Sequence, residues 1–171
     1  MKFLEKDLED IIWESDRTKL SERGLTIKGK LKRQLRIGDY GIADLVSFEK
    51  QTAIYGNRYL KITVYELKKD KIGISAFLQA INYVRGIKSY IKMRNKNIQV
   101  SFNIVLVGKE VDASGSFCFI SNLIRENNET IKYDGFLDNV DFYTYKYSID
   151  GLKFTPENNY DLSKNGFTYE Y

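Results

Sequence analysis

The chain of 171 residues contains no histidine, a single cysteine and a single proline. The absence of histidine excludes Ser-His-Asp and Cys-His catalysis, imidazole zinc sites and histidine acid–base chemistry. A lone cysteine excludes a disulfide within the chain, and Cys118 lies in an apolar run that is typical of a buried, inert thiol. Carboxylates, lysines and tyrosines remain as reactive groups, and oxygen ligands favour Mg²⁺, with Mn²⁺ as the other choice.

Long apolar runs are also missing. No stretch of about 18 apolar residues is present to span a membrane, and Met1–Asp7 becomes acidic before the apolar core of a signal peptide could develop. We therefore expect a cytoplasmic protein without a membrane partner. The length and the 43% hydrophobic fraction predict one domain over residues 1–171.

Charge is distributed unevenly along the chain. The net charge is +4, but residues 126–171 contain nine acidic and four basic residues, so residues 1–125 have a formal charge of +9. Asp44 and Glu66-Leu67-Lys68 both lie in this positive part.

Hydrophobic periodicity predicts the order α-β-β-β-α-β, followed by a β-rich segment. The predicted elements are a helix over residues 3–14, strands over 25–37, 40–48 and 60–68, a helix over 74–93 and a strand over 98–107. Ser116–Ile124 fits either a strand or a helix. Residues 140–147 and 152–155 predict a hairpin that closes near Asp150-Gly151.

The strand over residues 25–37 is predicted to have one apolar and one basic face. Its apolar face would contain Leu31, Leu35 and Ile37, whereas the other face, here named the basic ridge, contains Lys28, Lys30, Lys32 and Arg36. Such a ridge is most often a solvated strand face, although it could also follow phosphate groups of DNA. Arg33 falls on the apolar side and could pair with a carboxylate of the site.

Asp44 and the tripeptide Glu66-Leu67-Lys68 lie on two strands that are expected to be neighbours. Side chains alternate along a strand, so Glu66 and Lys68 would share a face with the Leu67 carbonyl between them. Two acids and a carbonyl could bind Mg²⁺, and the lysine could orient a water. The simpler interpretation is an ordinary surface, but each acid follows apolar strand residues, where burial of charge is costly.

This pattern resembles the PD-(D/E)XK nuclease superfamily. The similarity covers residues 3–107 and depends on Ala43-Asp44, on Glu66-Leu67-Lys68 and on Gln79-Ala80-Ile81-Asn82-Tyr83, which is similar to the helix element of RecB-like members. The opening Glu5-Lys6-Asp7-Leu8-Glu9 resembles the first-helix motif of archaeal-type endonucleases. The resemblance implies an α/β, restriction-endonuclease-like αβββαβ core over residues 1–107, in which helices flank a mixed central sheet. Residues 108–171 would form a β-rich C-terminal extension.

The resemblance also implies roles for the site residues. Asp44 and Glu66 match the acids that bind the metal, and Lys68 matches the lysine that positions the attacking water. Glu5 or Glu9 would match the first-helix acid that completes the metal shell, and the spacing does not choose between them. Ala43 replaces the proline that usually precedes the first acid.

Two further features have competing interpretations. Gln79 and Tyr83 match the helix element that arranges the site or contacts the nucleic-acid backbone, but a helix face packed on the sheet explains them nearly as well. Tyr143, Tyr145 and Tyr147 alternate along one strand, where cross-strand packing is a more common explanation than base stacking.

The resulting expectation is a Mg²⁺-dependent deoxyribonuclease, either an endonuclease or an exonuclease, that acts on DNA. Cleavage of both strands of a duplex would favour a homodimer. Two alternatives stay open. One is a nuclease-like module that binds nucleic acid without cutting it. The other is a protein-interaction or assembly protein that uses its aromatic C-terminal region.

Overall fold

The computed structural model describes residues 3–53, 56–94, 98–112, 137–149 and 151–157. These residues form an α/β fold with a mixed six-stranded central sheet and few helices. Cys118 and the segment Ser116–Ile124 lie outside the described residues, so their predicted states stay predictions.

Two of the described helices, α1 and α3, follow the predicted periodicity. Helix α1 spans Glu5–Glu14, and it buries Leu8 and Ile12, which lie one turn apart. Its first turn is capped because the Leu4 amide donates to Asp7 Oδ2 at 2.7 Å. Helix α3 spans Ile74–Met93, as predicted. None of the described helices is long and apolar enough to cross a membrane.

A short helix, α2, spans Arg17–Glu22, where the sequence pattern predicted only a polar segment. The Asp16 side chain caps it by accepting hydrogen bonds from the amides of Thr18 and Lys19, at 2.9 and 3.3 Å. Aspartate is a strong N-cap residue, so Asp16 was an available signal for this helix. Gly24 follows the helix with a φ of +99°, in the left-handed region that favours glycine.

The strands of the described residues run in two sheets. The strand bounds are β1 Lys30–Arg36, β2 Ile42–Thr52, β3 Arg58–Leu67, β4 Lys71–Ile72, β5 Gln99–Gly108, β6 Glu110–Val111, β7 Asn139–Ser148 and β8 Gly151–Pro156. The large sheet has the order β1-β2-β3-β5-β7-β8, and β4 pairs with β6 in a small second sheet. The predicted strand over 25–37 is therefore confirmed only from Lys30 to Arg36.

The sheet is mixed because its strands are connected in two ways. The pairs β1-β2, β2-β3 and β7-β8 are antiparallel, whereas β5 is parallel to β7 and also to β3, to which α3 connects it as a crossover. The predicted C-terminal hairpin is confirmed as β7-β8. Helices α1 and α2 pack on one face of the sheet and α3 packs on the other, so each face has its own apolar core.

Strand β1 changes its core-facing side at Gln34. Leu31 packs in the core on the α1 side, whereas Leu35 and Ile37 pack on the α3 side. Gln34 has a φ of +48° and is the only non-glycine residue with positive φ among the described ranges. The prediction that Leu31, Leu35 and Ile37 share a face is therefore wrong, because the left-handed residue reverses the alternation of side chains.

Candidate functional site

Asp44 lies where strands β2 and β3 separate. The last paired residues at this end of the two strands are Leu45 and Tyr65. Beyond them, the Leu67 amide donates to Asp44 Oδ2 at 3.0 Å, so the carboxylate takes the place of a strand partner. Burial raises the pKa of Asp44, and the charges of Glu9 and Glu5 add to this effect, while the Leu67 amide and Lys68 oppose it.

Glu66 lies at the end of β3 and is the most buried carboxylate of this region, with 1% of its surface exposed. Burial raises its pKa to about 7, and the negative charge of Asp44 contributes further. Its Oε2 atom is buried and has no hydrogen-bond partner among the described residues. Buried polar atoms are rarely left unpaired, so this oxygen is available to a ligand.

Lys68 contacts Glu66 directly. Its Nζ atom donates to Glu66 Oε1 at 2.8 Å, and its side chain is 21% exposed. Burial alone would lower the pKa of Lys68, but the hydrogen bond that it donates to Glu66 and the charges of Glu66, Glu5 and Asp44 raise it. The predicted placement of Glu66 and Lys68 on one face agrees with this contact.

Gln79 and Tyr83 lie on α3 beside the same acids. Gln79 Nε2 donates to the Tyr83 hydroxyl at 2.8 Å, as expected for residues one turn apart. Burial raises the pKa of Tyr83, and the charges of Glu66 and Asp44 raise it further, so the hydroxyl lies close enough to sense both carboxylates. Tyr83 itself is buried in the core on the α3 side, which agrees with the packing interpretation as well.

The two candidate acids of α1 have different surroundings. Glu9 is 5% exposed, and Arg33 and Gln34 donate to its two oxygens, while Arg33 also contacts Asp10. Arg33 therefore pairs with Glu9, one of the two candidate first-helix acids, whereas nothing in the sequence indicated the hydrogen bond from Gln34. The Glu5 side chain is exposed and forms no hydrogen bond or ion pair with a described residue, although its charge raises the pKa of both Asp44 and Glu66.

A polar cavity of about 420 Å³ connects α1 with the site. Its lining residues are Glu5, Lys6, Glu9, Arg33, Gln34 and Asp44. The cavity therefore opens between the first helix, the face-switching part of β1 and the first acid of the predicted motif.

The basic ridge is exposed but interrupted. Lys28, Lys30, Lys32 and Arg36 are all exposed. Lys30 and Lys32 pair with Phe48 and Val46, which pack on the α3 side. The face switch at Gln34 means that Arg36 does not continue this row, so the prediction of one continuous basic face is wrong for Arg36.

The tyrosine stripe of β7 is mostly a packing feature. Tyr145 is buried, Tyr143 is half-buried and Tyr147 is exposed. The Tyr145 ring lies 6.5 Å from the ring of Phe154 on the paired strand and 6.3 Å from that of Tyr147. These distances are typical of aromatic packing, the explanation favoured by the sequence.

The donor set suits a hard cation that needs few protein ligands. Asp44 and Glu66 supply carboxylate oxygens, one of them the unpartnered Glu66 Oε2. Within the described ranges, no group of three or more Asp, Glu, His or Cys side chains is arranged to bind a metal. Mg²⁺ typically uses one or two carboxylates and completes its shell with waters and substrate phosphates, so the two acids fit Mg²⁺ better than a cation that requires a full protein cage.

Comparisons of this chain with protein-family models, curated proteins and solved structures return no match. The functional argument therefore depends on the geometry of the site itself.

Proposed function

We propose that this protein is a Mg²⁺-dependent deoxyribonuclease with a restriction-endonuclease-like core. The observation that carries the proposal is the buried Glu66 carboxylate, which has one unpartnered oxygen, a bound lysine and the charge of Asp44 nearby. Two acids close together in a poorly solvated place are costly unless a cation offsets their charge. The order of α1, three antiparallel strands, α3 and a parallel strand supports the proposed core.

Asp44, Glu66 and the Leu67 carbonyl would hold the ion. When bound, Mg²⁺ withdraws charge from the phosphoryl oxygens and makes a bound water easier to deprotonate. The Leu67 amide keeps the Asp44 carboxylate in place through its hydrogen bond of 3.0 Å. A ligand fixed in this way needs little rearrangement when the substrate arrives.

Lys68 would orient the attacking water and offset negative charge as the phosphate reacts. Its ammonium group already contacts Glu66 Oε1 at 2.8 Å, which partly neutralises the buried acid in the free protein. The raised pKa of Lys68 keeps this group protonated near neutral pH, so it acts as a charge and a hydrogen-bond donor rather than as a free base. Gln79 and Tyr83 would border the site on the α3 side and help to arrange it.

The first-helix acid of the proposed site is Glu5 rather than Glu9. Both oxygens of Glu9 already accept hydrogen bonds from Arg33 and Gln34, so that carboxylate is occupied. Glu5 is exposed next to the polar cavity, and its charge affects Asp44, Glu66 and Lys68. Glu9 would then fix β1 against α1, while Glu5 adds negative charge for the ion.

DNA is the proposed partner because exposed lysines lie on β1, which pairs with the strand of Asp44, and on α1 beside the polar cavity. Lys30 and Lys32 are exposed on the edge strand β1, and Lys6 lines the polar cavity beside Asp44. Basic side chains on an edge strand attract the phosphate backbone without reading the sequence. They also discourage pairing of the edge with other strands, so their presence alone does not identify DNA.

Cleavage of a supercoiled plasmid and of a labelled single-stranded oligonucleotide, each with Mg²⁺ or with EDTA, tests the proposal. The Asp44→Asn and Lys68→Ala proteins should lose at least about 100-fold in cleavage rate, because each removes a charge that acts on the reacting phosphate. The matched controls are Asp39→Asn, at an exposed carboxylate in the β1-β2 turn, and Lys69→Ala, at the neighbouring lysine.

Circular dichroism and thermal unfolding establish that each variant is folded. The proposal fails if folded Asp44→Asn and Lys68→Ala proteins cut as fast as the controls. It also fails if the wild-type protein cuts neither substrate with Mg²⁺ or Mn²⁺.

A second candidate function is a module that binds nucleic acid without cutting it. Two observations favour it. The described part of the chain has no group of three or more side chains that could hold a metal, and Lys68 already binds one oxygen of Glu66. Calorimetric titration with Mg²⁺ or Mn²⁺ separates the two functions. Salt-dependent DNA binding with no heat of metal binding would support the module.

A further inference from the structure

Tyr145 connects the C-terminal hairpin to the segment that carries Lys68. The residue is buried in strand β7, with 1% of its surface exposed, and its hydroxyl donates to the Lys69 carbonyl at 2.6 Å. Strand β7 is separated from β3 by β5. A side chain two strands away therefore holds the peptide that directly follows the site lysine.

The chain leaving β3 is fixed at three successive residues. The Lys68 amide donates to the Val107 carbonyl at 2.8 Å, and the Asp70 carbonyl accepts from the Lys109 amide at 2.7 Å. Between these two main-chain contacts, the Lys69 carbonyl accepts from the Tyr145 hydroxyl. These three contacts fix the main chain from Lys68 to Asp70, and they therefore fix the position from which the Lys68 side chain extends.

The hydroxyl of Tyr145 has an effect separate from that of its ring. The ring packs against Phe154 and Phe3 at 6.5 and 6.0 Å, contacts that a phenylalanine would retain. The hydroxyl adds a directional bond to the main chain, and burial raises its pKa, so it stays protonated and donates. Its removal would leave the Lys69 carbonyl without this bond while the core stays filled.

We propose that Tyr145 is a positioning residue for Lys68, so that the β7-β8 hairpin belongs to the machinery of the site. The hydroxyl fixes the Lys69 peptide, the peptide fixes the origin of the Lys68 side chain, and the side chain reaches Glu66 Oε1 at 2.8 Å. This role rests on the proposed nuclease function. Displacements of about 1 Å at a catalytic group can cost about 100-fold in rate, so a loose Lys69 peptide would matter.

The test compares Tyr145→Phe with Tyr147→Phe in the full chain. Tyr147 lies on the same strand and is exposed, so it controls for the loss of one tyrosine hydroxyl. We expect kcat for Mg²⁺-dependent DNA cleavage to fall by about tenfold in Tyr145→Phe, with KM for DNA unchanged, because the hydroxyl positions Lys68 rather than the substrate. A purely structural role would lower Tm and leave kcat per folded molecule unchanged, which would overturn the proposal.

A second measurement does not depend on cleavage. Acetylation of lysines by acetic anhydride, followed by mass spectrometry, reports how firmly Lys68 is held, with the exposed Lys32 of β1 as the internal reference. In Tyr145→Phe the Lys68 acetylation rate should rise by about fivefold, the factor expected for a lost hydrogen bond, and it should stay unchanged in Tyr147→Phe. Equal rates of Lys68 acetylation in both variants would overturn the proposal even if the wild-type protein does not cut DNA. If the wild-type protein is inactive but the acetylation rates are as expected, the result counts only against the nuclease function.

Discussion

The buried Glu66 carboxylate should make the metal-free protein less stable as pH rises. Its pKa is raised from 4.5 to about 7, so between these values the folded state binds more protons than the unfolded state. Stability from this group is complete below pH 4.5 and is lost as pH rises through 7. The shift of this pKa lowers the free energy of unfolding at pH 8 by about 3 kcal/mol relative to its value below pH 4.5, because each pKa unit is worth about 1.4 kcal/mol.

The Glu66→Gln variant isolates this contribution. Glutamine is nearly isosteric and can still accept from Lys68, but it places no second negative charge beside Asp44. In EDTA at pH 8, the free energy of unfolding of Glu66→Gln should exceed that of the wild type by about 3 kcal/mol, which for a chain of this length corresponds to about 6–12 °C in Tm. Near pH 4.5 the two proteins should be almost equally stable.

Urea denaturation at a series of pH values, with EDTA throughout, measures the effect. Glu14→Gln provides the matched control, because Glu14 is an exposed glutamate on α1 and undergoes the same change in charge. Its stability should follow that of the wild type across the whole pH range. Parallel pH–stability curves for wild type and Glu66→Gln would refute the raised pKa assigned to Glu66.

Added Mg²⁺ should reverse the destabilisation. At the proposed site the ion would bind the ionised carboxylates and would stabilise the folded state by mass action, so its effect on Tm should be larger at pH 8 than at pH 5.5. The Glu66→Gln protein should show little of this response. Glu66→Gln would then be more stable than the wild type but would bind Mg²⁺ poorly, which is the usual trade-off between stability and function.

Three further predictions concern the surroundings of the site. Gln34→Gly should be more stable than Gln34→Ala by about 1 kcal/mol in thermal unfolding, because only glycine adopts the φ of +48° without strain. The opposite order of stability would disprove backbone strain at Gln34. Glu9→Gln should lower the free energy of unfolding, measured with urea, by about 2 kcal/mol, whereas Glu5→Gln should leave it unchanged. Glu5→Gln should instead weaken Mg²⁺ binding measured by calorimetry. Equal losses of stability would show that the two acids are equivalent. Gly24→Ala should cost more than about 2 kcal/mol, because its Cβ would lie 2.1 Å from a carbonyl oxygen of β8, while Gly38→Ala, with open space around its Cβ, should cost less.

Much of the central fold was predictable because its signals are local. The apolar period of helix α3 predicted Ile74–Met93 to the residue, and the β-rich run after it predicted β5 to within one residue. The C-terminal hairpin followed from two strand patterns around Asp150-Gly151. The α2 helix was missed although Asp16 gave a capping signal, because six residues show too little periodicity.

The face switch at Gln34 could not be predicted from the sequence. Leu31, Arg33 and Leu35 alternate in the regular way, and glutamine has no marked preference for the left-handed region. The conformation is instead accompanied by contacts between distant elements, in which Gln34 and Arg33 both donate to Glu9 on α1. The predicted basic face was wrong at Arg36 for the same reason.

The sequence by itself determined which chemistry is available. Because histidine is absent, Asp44, Glu66 and Lys68 are the strongest candidates for site residues. Side chains alternate along a strand, so Glu66 and Lys68, two residues apart, were expected on one face. Only the tertiary structure decided how these groups are held. The separation of β2 from β3 beyond Leu45 and Tyr65 directs Asp44 to the Leu67 amide, and the sheet brings Tyr145 to the peptide after Lys68. Hydrogen bonds and desolvation depend on atoms that are distant in the chain, so strand spacing can suggest a site but cannot fix its partners or its pKa values.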